Sequence, residues 1–326
     1  MKIAITGASG FIGSNLVRHF AAGGHQVVAL VRSRDKARAM EQPGVSTALA
    51  DVVDRESLLA AFSGVDAVLH VAALFNNPEA SRSDYVRVNV DGTKNVLDSA
   101  LKQGVRRVIH CSTIGVAIGH GSPPYSEDTP YSPAADDKYE TTKCEGEKTA
   151  LECFKRQGVP VVVLRPAQVY GPGDRTKAKF YRMIQKGIIV NPGQTLKHLV
   201  YVDDLCRAFD LALRTPDIEG EIFIIGGREP IPLWKLIEIG AKGVGVSPPT
   251  VRLPAWPFTL LFGLVETAAQ LVQKRPPVFR RSMDFFTKSV ALDVRKARKV
   301  LGFQSDVDVP TGVARTIAWY REQRLL

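Results

Sequence analysis

Thr6-Gly7-Ala8-Ser9-Gly10-Phe11-Ile12-Gly13 joins an apolar run, Lys2–Thr6, to a stretch with helical periodicity, Phe11–Ala22. Glycines are needed at such a junction for physical reasons. Without a Cβ the chain turns sharply and its backbone comes close to a pyrophosphate. The last glycine lets helix and strand pack together. The helix then offers free N–H groups and the positive end of its dipole to an anion. A glycine triplet alone carries little information. Its position between a strand and a helix makes this one a dinucleotide-binding signature, with Gly7, Ser9, Gly10, Phe11, Ile12 and Gly13 as cofactor contacts.

Outward from this loop the alternation continues. Gln26–Val31, Ala67–Ala72 and Arg107–Ser112 read as strands, with helical patterns at Arg55–Phe62 and Gly92–Gln103 between them. Pro160–Leu164 reads as a further buried strand after a helix over Tyr139–Gln157. Such alternation predicts an α/β fold, a Rossmann-type doubly wound parallel sheet with helices on both faces. After Pro166 the pattern changes. Gly171-Pro172-Gly173-Asp174 is a loop, Lys177–Gly187 a helix and Leu199–Val202 a short strand. A helix starts at Asp203 or Asp204 and runs to Arg214, and Glu221–Ile225 is another strand. From Pro230 onward helical patterns separated by prolines dominate. The prediction is a Rossmann domain from 1–170 and 197–227, with a smaller, mostly helical substrate-binding lobe from 171–196 and 228–326.

Composition narrows the function classes. The net charge of +10 suits an anionic ligand, a nucleic acid or an acidic membrane surface, and the scattered basic residues do not decide between them. No aromatic-interleaved basic motif or helix-turn-helix signature supports a nucleic-acid partner. The four cysteines form no CxxC pair and have no histidine at metal-ligand spacing, so they read as reduced thiols of a cytoplasmic protein without a metal. The N-terminus enters strand-like sequence directly, without a cleavable-leader pattern. The most apolar segment, Trp256–Val272, is interrupted by Pro257 and Glu266 and is too short for a membrane span.

The second strand ends Leu30-Val31-Arg32-Ser33-Arg34. An acidic residue there would bind the ribose 2′-hydroxyl of NAD. Arg32 stands instead where a guanidinium meets a 2′-phosphate, with Arg34 or Lys36 to assist. NADP is therefore the preferred cofactor and NAD the alternative. Tyr139 and Lys143 lie four residues apart and share a helix face. A nearby ammonium favours a phenolate, and such a tyrosine passes a proton to or from a carbinol oxygen during hydride transfer. The strand Arg107–Ser112 ends in hydroxyls, Ser112 and Thr113, at the sheet edge where ligands of doubly wound folds bind.

With these motifs the chain resembles the extended short-chain dehydrogenase/reductase superfamily, the group of NAD-dependent epimerases and dehydratases. The resemblance spans nearly the whole length. It rests on the glycine loop and on Asp51-Val52, similar to the adenine-contacting pair. His70-Val71-Ala72-Ala73 resembles the segment passing the cofactor ribose, and Asn89-Val90-Asp91-Gly92-Thr93 a helix-start signature. Arg165-Pro166-Ala167-Gln168-Val169-Tyr170-Gly171-Pro172-Gly173-Asp174 and Asp293–Phe303 match two further signatures. The resemblance implies that Tyr139 is the general acid/base and that Lys143 binds the nicotinamide ribose and lowers the Tyr139 pKa. It implies Thr113 rather than Ser112 as the substrate-contacting hydroxyl, and Pro166 and Val169 beside the nicotinamide. Asn89 reads either as a structural cap or as a cofactor contact. A homodimer through the helices over Asp91–Gln103 and Tyr139–Gln157 is also implied.

Within the superfamily the chain resembles the 3β-hydroxysteroid dehydrogenase and dihydroflavonol reductase-like branch. Gln168 stands where nucleotide-sugar enzymes usually carry asparagine, and Asp284–Val290 lacks their arginine clamp. Trp256–Phe262 adds apolar surface suited to a bulky hydroxyl or keto substrate. Lys274, Arg275, Arg280, Arg281 and Lys288 make either a solvated basic surface or a face for peripheral contact with an anionic membrane. The leading expectation is an NAD(P)-dependent dehydrogenase/reductase. The runner-up is a nucleotide-sugar epimerase or dehydratase using the same Tyr/Lys pair.

Overall fold

The computed structural model describes residues 1–119, 121–187, 195–248 and 284–326. Trp256–Phe262, Lys274, Arg275, Arg280 and Arg281, on which the apolar-surface and membrane expectations rest, lie outside the described residues.

Seven parallel strands form one sheet. In chain order they are β1 (Lys2–Thr6), β2 (Gln26–Val31), β3 (Val45–Leu49), β4 (Ala67–His70), β5 (Arg107–Cys111), β6 (Val161–Pro166) and, later in the chain, the strand Ile222–Ile225. Their spatial order is β3, β2, β1, β4, β5, β6 and then Ile222–Ile225. The order reverses between β1 and β4, whose ends pair Thr6 with His70. In doubly wound sheets the crevice at this reversal is where ligands bind. The central strands are buried on both faces, which explains runs such as Val161-Val162-Val163-Leu164.

Helices cover the two faces. On one face α1 (Phe11–Ala22) packs beside the helix Val202–Arg214, and Leu16, Val17, Phe20, Leu205 and Phe209 join the sheet core. On the other lie three helices: α3 (Arg55–Ala61), α5 (Gly92–Lys102) and α6 (Lys138–Gln157). They bring Leu58, Val96, Leu97 and Ala150 to a second core. A third apolar cluster joins the helices Ala178–Gln185, Leu233–Val244 and Val309–Glu322 through Tyr181, Ile184, Leu236, Ile237, Ile317 and Tyr320. The late helix Arg295–Leu301 instead contributes Ala297 and Leu301 to the sheet core.

The structure holds elements that the sequence reading lacks, among them α2 (Arg34–Arg38) and the short strands Gln168–Tyr170 and Leu196–Lys197. The edge strand β3 escaped notice because its five residues are only partly buried or exposed, so its side chains carry no clear apolar alternation. The helix read from Gly92 begins earlier: α4 (Arg82–Val86) runs through a π-helical turn, Arg87–Asp91, into α5. Ser81 and Asp84 form a capping box at its true start. No helix among the described residues is long and apolar enough to cross a membrane.

Candidate active site

The glycine loop is shaped by contacts that exclude a side chain. Gly7 has φ of +66°, and a Cβ there would lie 2.8 Å from the backbone nitrogen of Ala72. A Cβ on Gly13 would lie 2.1 Å from the carbonyl oxygen of Gly7. The loop, the start of α1 and the end of β4 are therefore in direct backbone contact. Gly10 caps α1 without a side-chain hydrogen bond, and among the described residues no side chain bonds the first-turn N–H groups of Phe11 and Ile12. Ser9 and Gly10 are exposed at the crevice. Asn15 bridges the carbonyls of Phe11, at 2.8 Å, and Pro172, at 3.0 Å, which holds the Gly171–Asp174 loop against the glycine loop.

The other residues read as cofactor contacts follow the same sheet edge. Arg32 is exposed directly after β2. Asp51 and Val52 follow β3; Asp51 accepts a hydrogen bond from the backbone N–H of Val53 at 3.2 Å, and Val52 is buried under Gly92. Val71, Ala72 and Ala73 follow β4, and the N–H of Ala72 donates to the Thr6 hydroxyl at 3.2 Å. Pro166 ends β6 and Val169 lies half-buried just beyond it. Asn89 is fully engaged. Its amide oxygen accepts from Leu74 N–H at 2.8 Å, and its nitrogen donates to Leu74 O at 3.2 Å and to the Thr142 hydroxyl at 3.0 Å. It is a buried clamp between the loop after β4 and α6. A narrow cradle that any Cβ would fill, an uncapped helix N-terminus and an exposed arginine at the end of β2 fit a dinucleotide along this edge.

Tyr139 and Lys143 enter the same edge from α6. Asp137 caps this helix, accepting from the N–H groups of Tyr139 at 2.6 Å and Glu140 at 2.9 Å. The cap fixes the first turn, which carries Tyr139. Lys143 is buried and donates through Nζ to the Cys111 carbonyl at 2.7 Å, where β5 ends. Burial pulls its ammonium below the ordinary lysine value. Tyr139 moves the opposite way to the sequence expectation. Burial raises its phenol above the ordinary value, and Cys111, Asp137 and Glu140 add to the effect. The Lys143 ammonium is directed to the Cys111 carbonyl.

The two hydroxyls after β5 are separated by their surroundings. Ser112 is buried and donates to Glu147. Thr113 is half-buried; its oxygen accepts from Gly115 N–H at 3.2 Å, which leaves its own hydrogen to donate. Next to them is a buried network that sequence reasoning missed. Glu147, two turns beyond Tyr139, accepts from Arg165 Nη2 at 2.6 Å and from the Tyr131 hydroxyl at 2.8 Å. Arg165 is 1% exposed and Glu147 fully buried, so the pair ties α6 to β6 beneath the site. The signal was available: Glu147 continues the four-residue spacing of Tyr139 and Lys143. His70 is a second such residue. It joins the hydroxyls of Thr6, at 2.9 Å, and Thr93, at 3.0 Å, and burial beside Lys143 depresses its pKa to about 3.

A cradle for pyrophosphate and a tyrosine–lysine face thus share one sheet edge, and a family model spans the segment that builds them. The model for the NAD dependent epimerase/dehydratase family matches residues 3–226. This chain belongs to that family. Among relatives of the family, 3beta-hydroxysteroid-dehydrogenase/decarboxylase isoform 1 of Arabidopsis thaliana is 29% identical over 82% of this chain. The chain spans 65% of the length of that relative and 50% of its isoform 2. Sterol demethylase protein B of Methylococcus capsulatus is 29% identical, with 100% of both chains covered. Among solved structures, gox2253 aligns with a TM-score of 0.84 at 28% identity over 99% of both chains. DesIV, a dTDP-glucose 4,6-dehydratase from Streptomyces venezuelae with NAD and TYD bound, aligns with a TM-score of 0.78 at 26% identity, over 99% of this chain and 98% of that one. Family membership accounts for the Rossmann-type sheet and its extended short-chain organisation.

Proposed function

We propose that the protein is an NAD(P)-dependent oxidoreductase that moves a hydride between nicotinamide and a bulky apolar hydroxyl or keto compound of sterol-like character. The carrying observation is the convergence of Thr113, Tyr139 and Lys143 on the edge that holds the glycine cradle. The relatives named for sterol and hydroxysteroid chemistry support the substrate class. When bound, the cofactor would supply or accept the hydride. Thr113 donates a hydrogen bond that polarises the substrate oxygen. Tyr139 gives that oxygen its proton in reduction and takes it back in oxidation. A phenol whose pKa burial has raised is protonated at neutral pH, the form that reduction needs. Lys143 orients the cofactor ribose from the helix face below. NADP is the preferred cofactor in this reading, because Arg32, Arg34 and Lys36 cluster after β2 and no carboxylate occupies the Arg32 position.

The reading includes a cytoplasmic homodimer packed through α5 and α6, which sedimentation equilibrium tests directly. Activity is tested by following nicotinamide absorbance with NADPH and NADH against ketosteroids, flavonoid ketones and other bulky carbonyls. Net oxidation of NADPH, lost in Tyr139→Phe while cofactor binding persists, is the expected result. A second reading, a nucleotide-sugar epimerase or dehydratase, draws on the DesIV likeness. Conversion of a UDP- or dTDP-sugar without net nicotinamide turnover, and no oxidation of NADPH by any carbonyl, would replace the first reading with the second.

A further inference from the structure

Phe75 stands out among the described residues as a large apolar side chain exposed beside a reacting group. The residue is 59% exposed, yet its ring meets that of Tyr139 edge to face with centroids 4.8 Å apart. The loop that carries it is held from both sides. Asn89 clamps Leu74 through both amide atoms, and the Tyr85 hydroxyl bonds both the N–H of Asn77, at 3.0 Å, and its carbonyl, at 3.3 Å. Asn76 between them adopts φ of +48°, a left-handed conformation that turns the chain sharply. An exposed phenylalanine on a pinned loop contributes little to the core. Among the described residues its ring contact is with the tyrosine that handles the proton, and the exposed remainder of its surface lies beside that phenol.

We infer that Phe75 is a specificity-determining wall of the substrate site, packing against the apolar ring skeleton that flanks the reacting carbonyl or carbinol. The inference rests on the proposed oxidoreductase reading and extends it to a residue. Phe75 offers no hydrogen-bond donor or acceptor, so it rewards apolar area beside the reacting carbon. A compact ketone reaches Tyr139 without touching most of the ring. A rigid multi-ring ketone covers it. Phe75 therefore acts on binding of the skeleton, and Tyr139, Lys143 and Thr113 on the chemistry.

The test compares wild type, Phe75→Ala and Phe75→Leu on one-ring, two-ring and four-ring ketones at saturating NADPH. Truncation to alanine is expected to raise KM for the four-ring ketone roughly tenfold or more, with leucine intermediate. KM for the one-ring ketone and the Kd of NADPH should change by less than about twofold in both variants, since neither uses the exposed ring face. A turnover-independent arm titrates a four-ring alcohol into the NADPH complex of Tyr139→Phe and of Tyr139→Phe/Phe75→Ala, read by nicotinamide fluorescence; the second should bind it correspondingly more weakly. Equal changes for all three ketones would mean that Phe75 merely positions Tyr139, and no change would mean that its ring is not covered; either overturns the inference while the oxidoreductase reading stands. If wild type oxidises NADPH with none of the ketones, the functional reading fails first and this inference with it.

Discussion

Replacing Glu147 by leucine should destabilise the protein by about 3–5 kcal/mol, because it leaves an uncompensated charge in the core. The Glu147 carboxylate accepts from Arg165 Nε at 3.1 and 3.2 Å, from Nη2 at 2.6 Å, from the Tyr131 hydroxyl at 2.8 Å and from Ser112. Without it, the guanidinium keeps, among the described residues, the Glu127 carbonyl at 3.3 Å and the face of the Tyr131 ring. An ion pair at about 4 Å in an effective dielectric of about 20 is worth roughly 4 kcal/mol. Two hydroxyl donors that lose a buried acceptor add about 1 kcal/mol each, and relaxation of Arg165 toward water offsets part of the sum. The assay is urea unfolding of Glu147→Leu, Arg165→Met and the double variant. Each single change should lower the midpoint sharply at constant m-value. The double variant should recover most of the loss, with a coupling energy of at least about 2 kcal/mol. The pair also fixes α6, so the single variants should lose turnover out of proportion to their remaining folded fraction. Single-variant costs below about 1 kcal/mol, or costs that simply add in the double, would refute the account of the pair as a buried tie between α6 and β6.

Other outcomes follow from the same geometry. Gly13→Ala forces a Cβ to within 2.1 Å of the Gly7 carbonyl, so NADPH affinity should fall at least about tenfold, by fluorescence titration, with a lower melting temperature. Arg32→Asp should raise the KM for NADPH by about 10- to 100-fold and leave that for NADH within about threefold; equal losses for both cofactors would refute a 2′-phosphate contact. His70 is buried neutral with its pKa near 3, whereas the unfolded chain protonates it near 6.5. Its contribution to stability is thus complete above 6.5 and is lost as pH falls toward 3, by about 1.4 kcal/mol per pH unit in that window. Urea unfolding at pH 7, 6 and 5 should therefore show a shallower acid loss in His70→Asn than in wild type. Tyr139, raised by burial, should contribute no tyrosinate absorbance below about pH 10 in the cofactor-free protein, as judged against Tyr139→Phe.

Local chemistry was legible wherever it depends on residue spacing. The glycine loop could be read because the contacts at Gly7 and Gly13 tolerate no Cβ, and that exclusion is written directly into the residue type. β2 was read to the residue, Gln26–Val31, since a strand buried on both faces is a continuous apolar run. β3 was not, because an edge strand half open to solvent needs no such run. Tyr139 and Lys143 were legible as a helical pair, and the helix forms as read. The direction of their pKa values was not legible. Spacing along a helix reports that two groups share a face, but burial and the Cys111 carbonyl at the end of β5 determine their electrostatics.

The same division separates Ser112 from Thr113 and brings Asn89 onto Leu74 and Thr142. As sequence, two adjacent hydroxyls are alike. In the fold one is buried and tied to Glu147, and the other is half-buried and accepts from Gly115. Asn89 and Leu74 are fifteen residues apart, and Glu147 and Arg165 eighteen, so no local pattern joins them. Period and residue type reported most of the sheet, the glycine loop and the helical spacing of Tyr139 and Lys143, because those follow from backbone geometry and from patterns a few residues long. Which hydroxyl is free, which charge is paired and which aromatic ring stands beside the phenol depend on contacts between distant segments, and those exist once the sheet and its helices have packed.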